Sequence, residues 1–478
     1  MAELEAVIGL EIHVQLATRT KMFCGCELSF GDEPNVHTCP VCLAHPGVLP
    51  VVNEQAIHYA LKIAAALECE VAPRSIFHRK NYFYPDSPKA YQISQYDIPI
   101  AGPGRLGDVR IHRAHLEEDA AKMIHVGESG RIHGSGASLV DFNRGGTPLV
   151  EIVTEPDLRG AAEAAAWARL LRETVRQLGV SDVNMEEGSL RVDANVSVRP
   201  AGSEELGTKT ELKNMNSFRF LERGIEAELA RQRELVESGG TVVQETLHFH
   251  PEDGTRHPLR SKEEAHDYRY FPEPDLVPIA ASEAMLREAR ESLPELPAAR
   301  AARYGEMGLA EDVGALLAAD PPTAEYFERT AEAAGGVEPR VVANWVTGEL
   351  AAALRQDGGE ATAAESRVEP TALASLVSMA DEKKVSHGSA KQVLATMVAE
   401  GGDPTEIVAR EGLSQISDSG ELATIVAAAI EANPEAADQV RSGNQKAIGA
   451  IVGAVMKQTK GRADGGEVNR LIKQQLGL

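Results

Sequence analysis

The amino-acid pattern of this chain changes character near Pro272. Before this residue, segments in which apolar and polar residues alternate are separated by turn residues, a pattern typical of β-strands that bury one face. After it, the chain is rich in alanine and follows a helical period that glycine and proline interrupt. Its 478 residues exceed the size of one ordinary core. The pattern therefore predicts an α+β N-terminal part followed by all-α parts.

Two interruptions of the pattern predict where domains meet. Prolines in Leu293–Pro297 precede the helical region, and two glycines with a proline break the helical pattern again in Glu400–Pro404. We therefore expect three domains, at residues 1–292, 293–402 and 403–478.

The clearest strand pattern lies near the N-terminus, where Ile8–Leu16 alternates apolar residues with Glu11, His13 and Gln15. Because strand side chains point to opposite faces with a period of two, these three polar groups share one face. A solvated face would favour Thr, Lys and Glu instead of this mixture. We expect an open active site on a sheet whose other face packs on helices. The same pattern recurs in Leu190–Val198, with Arg191, Asp193, Asn195 and Ser197, and in Lys209–Lys213, with Glu211 and Lys213.

Further carboxylates occur at strand positions, in the run Glu117–Asp119 and at Glu151. Taken by itself, each of these residues is interpreted as an acid on the protein surface. If they converged with Glu11 and His13, they would hold Mg²⁺ against nucleotide phosphates, since this cation prefers oxygen ligands. The chain has no Walker A loop, kinase glycine-rich loop or dinucleotide fingerprint, so an ATP site would belong to another class. The cations that favour phosphoryl transfer beside these acids are Arg144, Arg191 and Lys213.

Residues 79–95 are dense in tyrosine, although only 4% of the chain is aromatic. Tyr82, Tyr84 and Tyr91 lie there beside Lys89. Aromatic faces next to basic and amide groups suit a pocket that stacks a base and pairs with phosphates. The alternative is an aromatic surface loop packed on a core.

Four of the five cysteines form two closely spaced pairs, Cys24 with Cys26 and Cys39 with Cys42. Such pairs bring four thiolates around one ion, and zinc is the metal expected in an all-sulfur site. Four ligands leave no open position, so we expect a structural zinc knuckle that fixes a loop. A redox dithiol is the weaker alternative, because neither pair begins a helix in a thioredoxin-like unit.

The net charge of −24 argues against a dedicated nucleic-acid-binding protein. The N-terminus lacks the features of a signal peptide and no segment has the apolar length of a membrane span, which predicts a cytoplasmic protein without membrane contact. The C-terminal segment differs from the average: residues 441–478 hold seven Lys or Arg against two acidic residues.

These segments closely resemble the GatB family, the B subunits of the bacterial and archaeal glutamyl/aspartyl-tRNA amidotransferases. The resemblance covers nearly the whole chain, including Asp141–Pro148, Asp267–Asp275, Gly453–Lys457 and Gly461–Gly465. It implies a cradle-shaped domain with a mainly antiparallel sheet related to glutamine synthetase, a helical domain, and a small helical YqeY-like tail domain.

The resemblance also implies a carbon–nitrogen ligase reaction. ATP phosphorylates the side-chain carboxylate of Glu-tRNA(Gln) or Asp-tRNA(Asn), and ammonia displaces the phosphate to give the amide. A carboxylate is a poor acyl donor, so the acyl phosphate supplies the leaving group. The ammonia comes from glutamine in a partner amidase, the A subunit, and a small C subunit completes the enzyme. The chain itself has no recognisable amidase signature.

The resemblance assigns roles to particular residues. It implies that Mg²⁺ is bound by Glu11, His13, Glu118 and Glu151, whereas strand alternation favours Glu117 over Glu118, and both stay open. Whether the tyrosines contact ATP or the terminal adenosine of tRNA also stays open. The residues implied to bind ATP or substrate are Tyr82, Tyr84, Lys89, Tyr91, Arg144, Arg191, Asp193, Asn195, Lys213, Asn214, Asn216 and Ser217.

We call the basic segment of residues 441–478 the basic tail. In it, Lys457, Lys460 and Arg462 are expected to contact tRNA phosphates. The alternative is that they are ordinary charges of a C-terminal helix. Two other functions remain open. One is a non-enzymatic, zinc-containing tRNA-binding adaptor, and the other is a free-standing ATP-dependent ligase that uses dissolved ammonia. The sequence does not distinguish Glu-tRNA(Gln) from Asp-tRNA(Asn) as substrate.

Overall fold

A computed structural model describes residues 3–126, 135–213, 215–249, 268–356, 361–415, 419–442, 444–459 and 461–478, with the backbone of Arg256–Arg260. The chain divides into two compact units, Met1–Ala298 and Ala299–Leu478.

The first unit contains the strands and four helices of the described chain. The strands are β1 (Leu4–Gln15), β2 (His78–Asn81), β3 (Tyr91–Ser94), β4 (Gly104–Leu106), β5 (Val109–Glu118), β6 (Lys122–Val126), β7 (Ala137–Asp141), β8 (Pro148–Thr154), β9 (Leu190–Pro200), β10 (Thr210–Lys213), β11 (Thr246–Phe249), β12 (Arg256–Arg260) and β13 (Phe271–Pro272). The helices are α1 (Glu54–Ala66), α2 (Ala161–Gln177), α3 (Phe218–Glu237) and α4 (Glu283–Glu291).

An eight-stranded sheet organises this unit, in the order β12-β11-β10-β9-β1-β8-β5-β4. All its pairings are antiparallel except that of β10 with β11. The strands β13, β2 and β3 form a three-stranded sheet, and β6 pairs with β7 in a separate hairpin. The long strands β9 and β1 therefore lie at the centre of the main sheet, with β8 beside β1 and β5 between β8 and the edge strand β4.

The strand alternation of β1 decides which face of the sheet is buried. Ile8, Leu10, Ile12 and Val14 are at most 1% exposed and belong to one apolar cluster with residues of α1, α2 and α3. Burying each such side chain contributes about 1.5–3 kcal/mol. The opposite face keeps the partly exposed Glu11, His13 and Gln15.

The regular elements of the second unit are helices in its described residues, and the unit contains two further apolar clusters. One is built from residues between Tyr304 and Leu413, and the other from residues between Leu422 and Leu476. The helices are α5 (Pro297–Glu306), α6 (Glu311–Ala319), α7 (Pro321–Ala333), α8 (Pro339–Asn344), α9 (Ala351–Gln356), α10 (Pro370–Asp381), α11 (His387–Glu400), α12 (Pro404–Glu411), α13 (Ser419–Ala432), α14 (Pro434–Arg441), α15 (Ile448–Gln458) and α16 (Gly465–Leu476). Trp345–Leu350 is a π-helical segment between α8 and α9, and Ala363–Glu365 and Gln445–Ala447 are short 3₁₀ turns.

This architecture confirms the expected α+β class, with a mainly antiparallel sheet first and helical parts after it. The domain limits at residues 292 and 402, and the relationship to glutamine synthetase, stay predictions. Among the described helices, none combines the length and apolar character that crossing a bilayer requires.

Candidate active site on the polar face of the sheet

A cavity of about 630 Å³ lies over the polar face of the main sheet. Its floor comes from β5, β8, β1, β9 and β10, and part of its wall comes from the tyrosine-rich segment after β2. The lining is dominated by charged side chains. Such a cavity has the size of a small-molecule site but not the apolar character of most of them.

One cross-strand row explains how charged groups converge at the cavity floor. His13 on β1 pairs in register with Glu151 on β8 and with Arg191 on β9, while Glu151 also pairs with His115 on β5. Directly paired residues of antiparallel strands have neighbouring side chains. Four residues from four strands therefore form a continuous polar row across the sheet.

The centre of this row is an acid–imidazole cluster. His13 Nε2 lies 3.3 Å from Glu151 Oε2 and 3.8 Å from Glu117 Oε1. His115 Nε2 lies 3.6 Å from both Glu151 Oε2 and Glu117 Oε2. Both carboxylates are buried, at 6% and 3% exposure for Glu151 and Glu117. The two imidazoles offset part of the cost of burying these two charges together.

Glu117 and Glu151 favour the protonated form of the His13 imidazole, which lies near both. Burial by itself lowers the pKa of His13, but the hydrogen bond with Glu151 and the charges of Glu151 and Glu117 raise it to about 9. Burial raises the pKa of Glu151, but the charges of His115 and His13 hold it well below its ordinary value. Burial, and then the charge of Glu151, raise the pKa of Glu11.

Two sets of side chains bring three potential metal ligands within 4.8 Å of one another: Glu11 with His13 and Asp193, and His13 with Glu117 and Glu151. Both sets share His13, and a cation between them would have carboxylate oxygens from three or four strands. This donor chemistry fits Mg²⁺ or another hard divalent ion. Glu11, His13 and Glu151 of the predicted metal set therefore lie together.

Glu118, the fourth residue of the predicted metal set, is held differently from Glu117. Its carboxylate accepts hydrogen bonds from Lys89 Nζ at 2.8 Å and from the backbone N–H of Ile93 at 2.9 Å. It lines the cavity from the β3 side and is absent from both ligand groups in the described residues. Glu117 takes the position beside His13 that strand alternation predicts, and the role of Glu118 in metal binding stays a prediction.

Arg191 and Arg144 converge on Asp119, immediately after β5. Arg191 Nη2 lies 3.0 Å from Asp119 Oδ2, and Gln15 Nε2 donates to the same oxygen at 2.8 Å. Arg144 Nε lies 3.7 Å from this oxygen and donates to the carbonyl of Ala120 at 2.9 Å. Burial raises the pKa of Asp119, but both guanidinium groups outweigh it and lower that pKa. Two predicted substrate-binding cations are thus anchored by one buried acid.

Lys213, on β10, holds the opposite side of the cavity floor. Its Nζ lies 2.6 Å from Asp193 Oδ2 and 3.2 Å from Glu211 Oε1. Asp193 pairs in register with Glu11 across β9 and β1. The pair of Asp193 and Lys213 therefore lies next to the acid–imidazole cluster, as the polar-face pattern predicts.

The remaining predicted ligand-binding residues near β9 and β10 lie in different places. Asn216 lines the cavity, and Asn195 pairs with Glu211 in the sheet. Ser217 is the N-cap of α3, where its hydroxyl accepts the N–H of Phe220 at 3.2 Å. Asn214 lies outside the described residues. Their contacts with ATP stay predictions.

The tyrosine-rich segment divides between two cavities. Tyr82 lines the main cavity and stacks on Tyr84, with ring centroids 5.6 Å apart. Tyr91 lines an adjoining cavity of about 220 Å³. Lys89 lines both cavities. The tyrosine-rich segment therefore forms part of the cavity wall. Which tyrosine contacts ATP and which contacts tRNA stays open.

The four cysteines Cys24, Cys26, Cys39 and Cys42 converge, with their sulfur atoms within 4.8 Å of one another. A hydrogen bond from Cys24 and the charge of Lys21 lower the pKa of Cys42 to about 4. An all-sulfur set with thiolate character is compatible with zinc, and Cys42 also lines the main cavity.

Lys21 was not singled out in the sequence, yet it connects this cluster to the cavity wall. It is 1% exposed, and its Nζ donates to the carbonyl of Phe142 at 2.9 Å and to Cys42 Sγ at 3.7 Å. Its stem packs on Gly146, which has a φ of +90° and where a Cβ would lie 3.4 Å from Lys21 Cδ. A buried ammonium needs a countercharge, which thiolates supply.

The predicted tRNA-binding residues lie at the end of α15 and after it. Lys457 is exposed in the last turn of α15. Arg462 is half-buried, and its Nε donates to the carbonyl of Thr459 at 3.2 Å. Lys460 lies outside the described residues. The exposed position of Lys457 allows its ammonium to meet a phosphate backbone.

The structure adds cavity residues that the sequence patterns did not identify: Lys80, Asp86, Arg113, His115 and Tyr270. Arg113 and His115 alternate along β5 with the same period as Glu117, so recognising β5 as a strand would have found them. Within the described residues, buried polar atoms without a hydrogen-bond partner include Asp86 Oδ1, Arg113 Nε, His115 Nδ1 and Arg191 Nε. Such atoms on a cavity wall fit a polar ligand.

A mainly antiparallel sheet with a buried acid–imidazole cluster and converging cations under an open cavity is the arrangement expected of an enzyme domain. Comparison with known proteins agrees. Residues 6–287 match the GatB/GatE catalytic domain, and residues 325–476 match the GatB domain.

Curated relatives match the chain over almost its full length. Each is named as the B subunit of an aspartyl/glutamyl-tRNA(Asn/Gln) amidotransferase. The protein of Brevibacillus brevis is 49% identical over 100% of this chain and 99% of its own length. That of Geobacter sulfurreducens is 49% identical over 99% of both chains, and that of Syntrophotalea carbinolica is 47% identical over 99% of this chain and 98% of its own. The chain therefore belongs to the GatB family of amidotransferase subunits.

Proposed function

We propose that this chain activates the side-chain carboxylate of glutamate or aspartate carried by tRNA(Gln) or tRNA(Asn), using ATP, and forms the amide with ammonia from a partner protein. The observation that carries the proposal is the cluster of His13, Glu117 and Glu151 at the floor of a charged cavity, in a chain that belongs to the GatB family. Mg²⁺ bound at this cluster would neutralise phosphate charge and align the phosphates.

The reaction needs an oxygen nucleophile to reach the terminal phosphorus of ATP. The substrate carboxylate oxygen forms a bond to this phosphorus, and the bond to the bridging oxygen breaks, so that ADP leaves with the electron pair. The ammonia nitrogen then attacks the acyl carbon, phosphate leaves with the original carboxylate oxygen, and a proton is lost to give the amide. Neither step requires a nucleophile from the protein, which matches a site made of charged and hydrogen-bonding groups.

The side chains around the floor have distinct tasks in this proposal. Glu11, His13 and Glu151, with Glu117 or Glu118, would hold the cation. Arg144 and Arg191, anchored by Asp119, and Lys213, anchored by Asp193, supply positive charge for phosphate or carboxylate oxygens. Tyr82, Tyr84 and Tyr91 supply aromatic faces for a base, and Lys89, held by Glu118, lies where the two cavities meet.

Membership of the GatB family supports a proposal for the partners and the cellular setting. We propose that an amidase, the A subunit, supplies ammonia and that a small C subunit completes the complex, in the cytoplasm. The cysteine cluster holds a structural zinc ion, and Lys457 and Arg462, with Lys460, contact the tRNA backbone. Phosphate contacts of this kind give affinity without base readout.

The proposal favours an enzyme over a tRNA-binding adaptor. An adaptor has no use for a buried cluster of two imidazoles and two carboxylates, because burying those charges is costly and surface charge alone binds tRNA. A free-standing ligase remains distinguishable by experiment, since it would not depend on the amidase for its nitrogen.

An amidation assay tests the proposal. Purified chain is incubated with ATP, Mg²⁺, glutamine and mischarged Glu-tRNA(Gln) or Asp-tRNA(Asn), with and without the partner amidase. We expect Gln-tRNA(Gln) or Asn-tRNA(Asn) only when the amidase or added ammonium is present, together with tRNA-dependent release of ADP. Tight tRNA binding without ADP release would support the adaptor function and contradict the proposal.

A further inference from the structure

Lys80 and Arg113 are cavity cations whose roles neither the sequence patterns nor the family resemblance assigns, and Arg113 lies 3.9 Å from Glu151. Lys80 lies on β2, where it pairs in register with Gln92 of β3, and its side chain lines the main cavity. Arg79, the residue before it, projects to the other face of β2 and pairs with Glu273, with Arg79 Nε 2.6 Å from Glu273 Oε2. Of these two neighbouring residues, Lys80 therefore faces the cavity, whereas Arg79 forms an ion pair on the opposite face of β2.

The lining cations differ in whether a carboxylate already neutralises them. Across the described residues, an acid within 4.0 Å neutralises Lys89, Lys213, Arg113 and Arg191. In the same residues, Lys80 Nζ has neither a hydrogen bond nor a carboxylate within 4.0 Å, although the charges of Glu117 and Glu151 act on it from farther away. Lys80 is therefore a cation with a free hydrogen-bonding capacity of three N–H groups at the edge of the acid–imidazole cluster.

Lys80 lies against a group of aromatic rings. Its Nζ lies 4.9 Å from the centroid of the Tyr268 ring, and Tyr268 packs edge-to-face on Tyr270, with ring centroids 6.2 Å apart. Tyr270 in turn stacks on Tyr96 at 4.4 Å. A cation over an aromatic face is attracted to the ring but is not neutralised by it. The Tyr268 ring therefore contacts the ammonium without accepting a hydrogen bond in its plane, and the N–H groups of Lys80 stay available to an anion.

The charge of the cavity floor selects the anion. The acids Glu117 and Glu151 repel a bare anion but attract one that arrives with a divalent cation. Such an anion also needs a positive group for the oxygens that the cation does not bind, and Lys80 lines the same cavity. We propose that Lys80 binds an oxygen of the β-phosphate of the nucleotide and is a catalytic residue of phosphoryl transfer. This inference rests on the proposed function.

A comparison of three ligands tests this placement. Binding of ATP, ADP and adenosine is measured with the full-length chain in complex with its partner subunits, for the wild type and for Lys80→Gln, Lys80→Arg and the control Lys122→Met. Lys122 is an exposed lysine on β6 outside the cavity lining. Losing one charge-assisted hydrogen bond weakens binding about 10- to 100-fold.

We expect Lys80→Gln to weaken ATP and ADP binding about 10-fold or more and to leave adenosine binding unchanged. Lys80→Arg, which keeps the charge, is expected to retain most of the affinity, and Lys122→Met all of it. Unchanged ADP affinity in Lys80→Gln, or an equal loss for adenosine, would overturn the inference.

A second measurement needs no variant and covers the case in which Lys80→Gln fails to fold. ADP should protect Lys80 of the wild-type chain from reductive methylation, detected by peptide mass spectrometry, whereas adenosine should not. Equal modification with and without ADP overturns the inference.

The two proposals fail differently. Without tRNA-dependent ADP release the proposed function fails, whereas ADP release with an unchanged KM for ATP in Lys80→Gln removes only the assignment of Lys80. A wild-type chain that binds no nucleotide overturns both.

Discussion

His13 and Glu151 are directly paired residues on adjacent antiparallel strands, and His13 Nε2 lies 3.3 Å from Glu151 Oε2. The pairing is a property of the backbone register, so the two groups meet without any loop having to adopt a special conformation. Functional groups on strands are held more rigidly than groups on loops. This pair therefore anchors the charged row on which the proposed chemistry depends.

The metal site distinguishes Glu117 from Glu118. Glu117→Gln should weaken binding of a divalent cation about 10-fold or more, because Glu117 lies in one ligand group with His13 and Glu151. Glu118→Gln should have a smaller effect, because that carboxylate is engaged by Lys89. Titration with Mn²⁺, followed by electron paramagnetic resonance, measures both. If Glu118→Gln reduces the affinity and Glu117→Gln does not, Glu118 is the ligand.

Protonation of His13 should stabilise the metal-free protein at neutral pH. Its folded pKa of about 9 exceeds the ordinary value of 6.5. The stabilisation is therefore complete below about pH 6.5 and is lost as pH rises through 9. It amounts to about 3 kcal/mol of unfolding free energy, and His13→Gln should lack this pH dependence. Histidine NMR with chelator present gives the pKa directly, and a His13 midpoint near 6.5 would contradict the prediction.

Zinc binding should depend on Lys21 as well as on the cysteines. Cys39→Ser should abolish zinc binding, because it removes one of four ligands. Lys21→Met should lower zinc affinity about 10-fold, since it removes the cation 3.7 Å from Cys42 Sγ. Competition with a chromogenic chelator measures the affinity, and the control Lys62→Met, in α1, should not change it. A Lys21→Met variant with wild-type zinc affinity would refute this role.

The basic tail should add a salt-dependent contribution to tRNA binding. Lys457→Glu should weaken tRNA affinity several-fold at low salt and reduce the slope of log affinity against log salt by about one. The control is Lys384→Glu. Lys384 is an exposed lysine outside the basic tail, and it pairs with Glu382. Filter binding at several salt concentrations measures both. An unchanged slope for Lys457→Glu would assign the tail charges to ordinary helix termini.

Strand alternation predicted which residues share the polar face of the sheet, because the alternation is a pattern of neighbouring residues in the sequence. Ile8–Leu16 places Glu11 and His13 on one face whatever lies around it, and the sheet confirms that placement. The convergence of Asp119 with Arg191 depends on strands that are far apart in sequence, which no local pattern encodes. Strand alternation favoured Glu117, and the structure places this residue beside His13.

The roles of other residues could not be predicted from the sequence, because they depend on residues that are distant in the chain. Lys21 reads as a surface lysine until the cysteine cluster and Phe142 enclose it. Lys80 lies in the tyrosine-rich segment, but whether a lysine is paired or free depends on distant strands and on Tyr268. The α+β class and helical C-terminal parts follow from hydrophobic periodicity, whereas the pairing of charges follows only from the assembled sheet.

Transfer of oxygen from the substrate to phosphate is the signature of activation through an acyl phosphate. Mischarged Glu-tRNA(Gln) whose side-chain carboxylate carries ¹⁸O is incubated with the complete enzyme, ATP and glutamine, and the released phosphate is analysed by mass spectrometry. We expect one ¹⁸O atom in each phosphate formed, and Glu151→Gln should reduce this product more than about 100-fold while the control Glu155→Gln does not. Phosphate without ¹⁸O, formed alongside amidated tRNA, would contradict activation through an acyl phosphate.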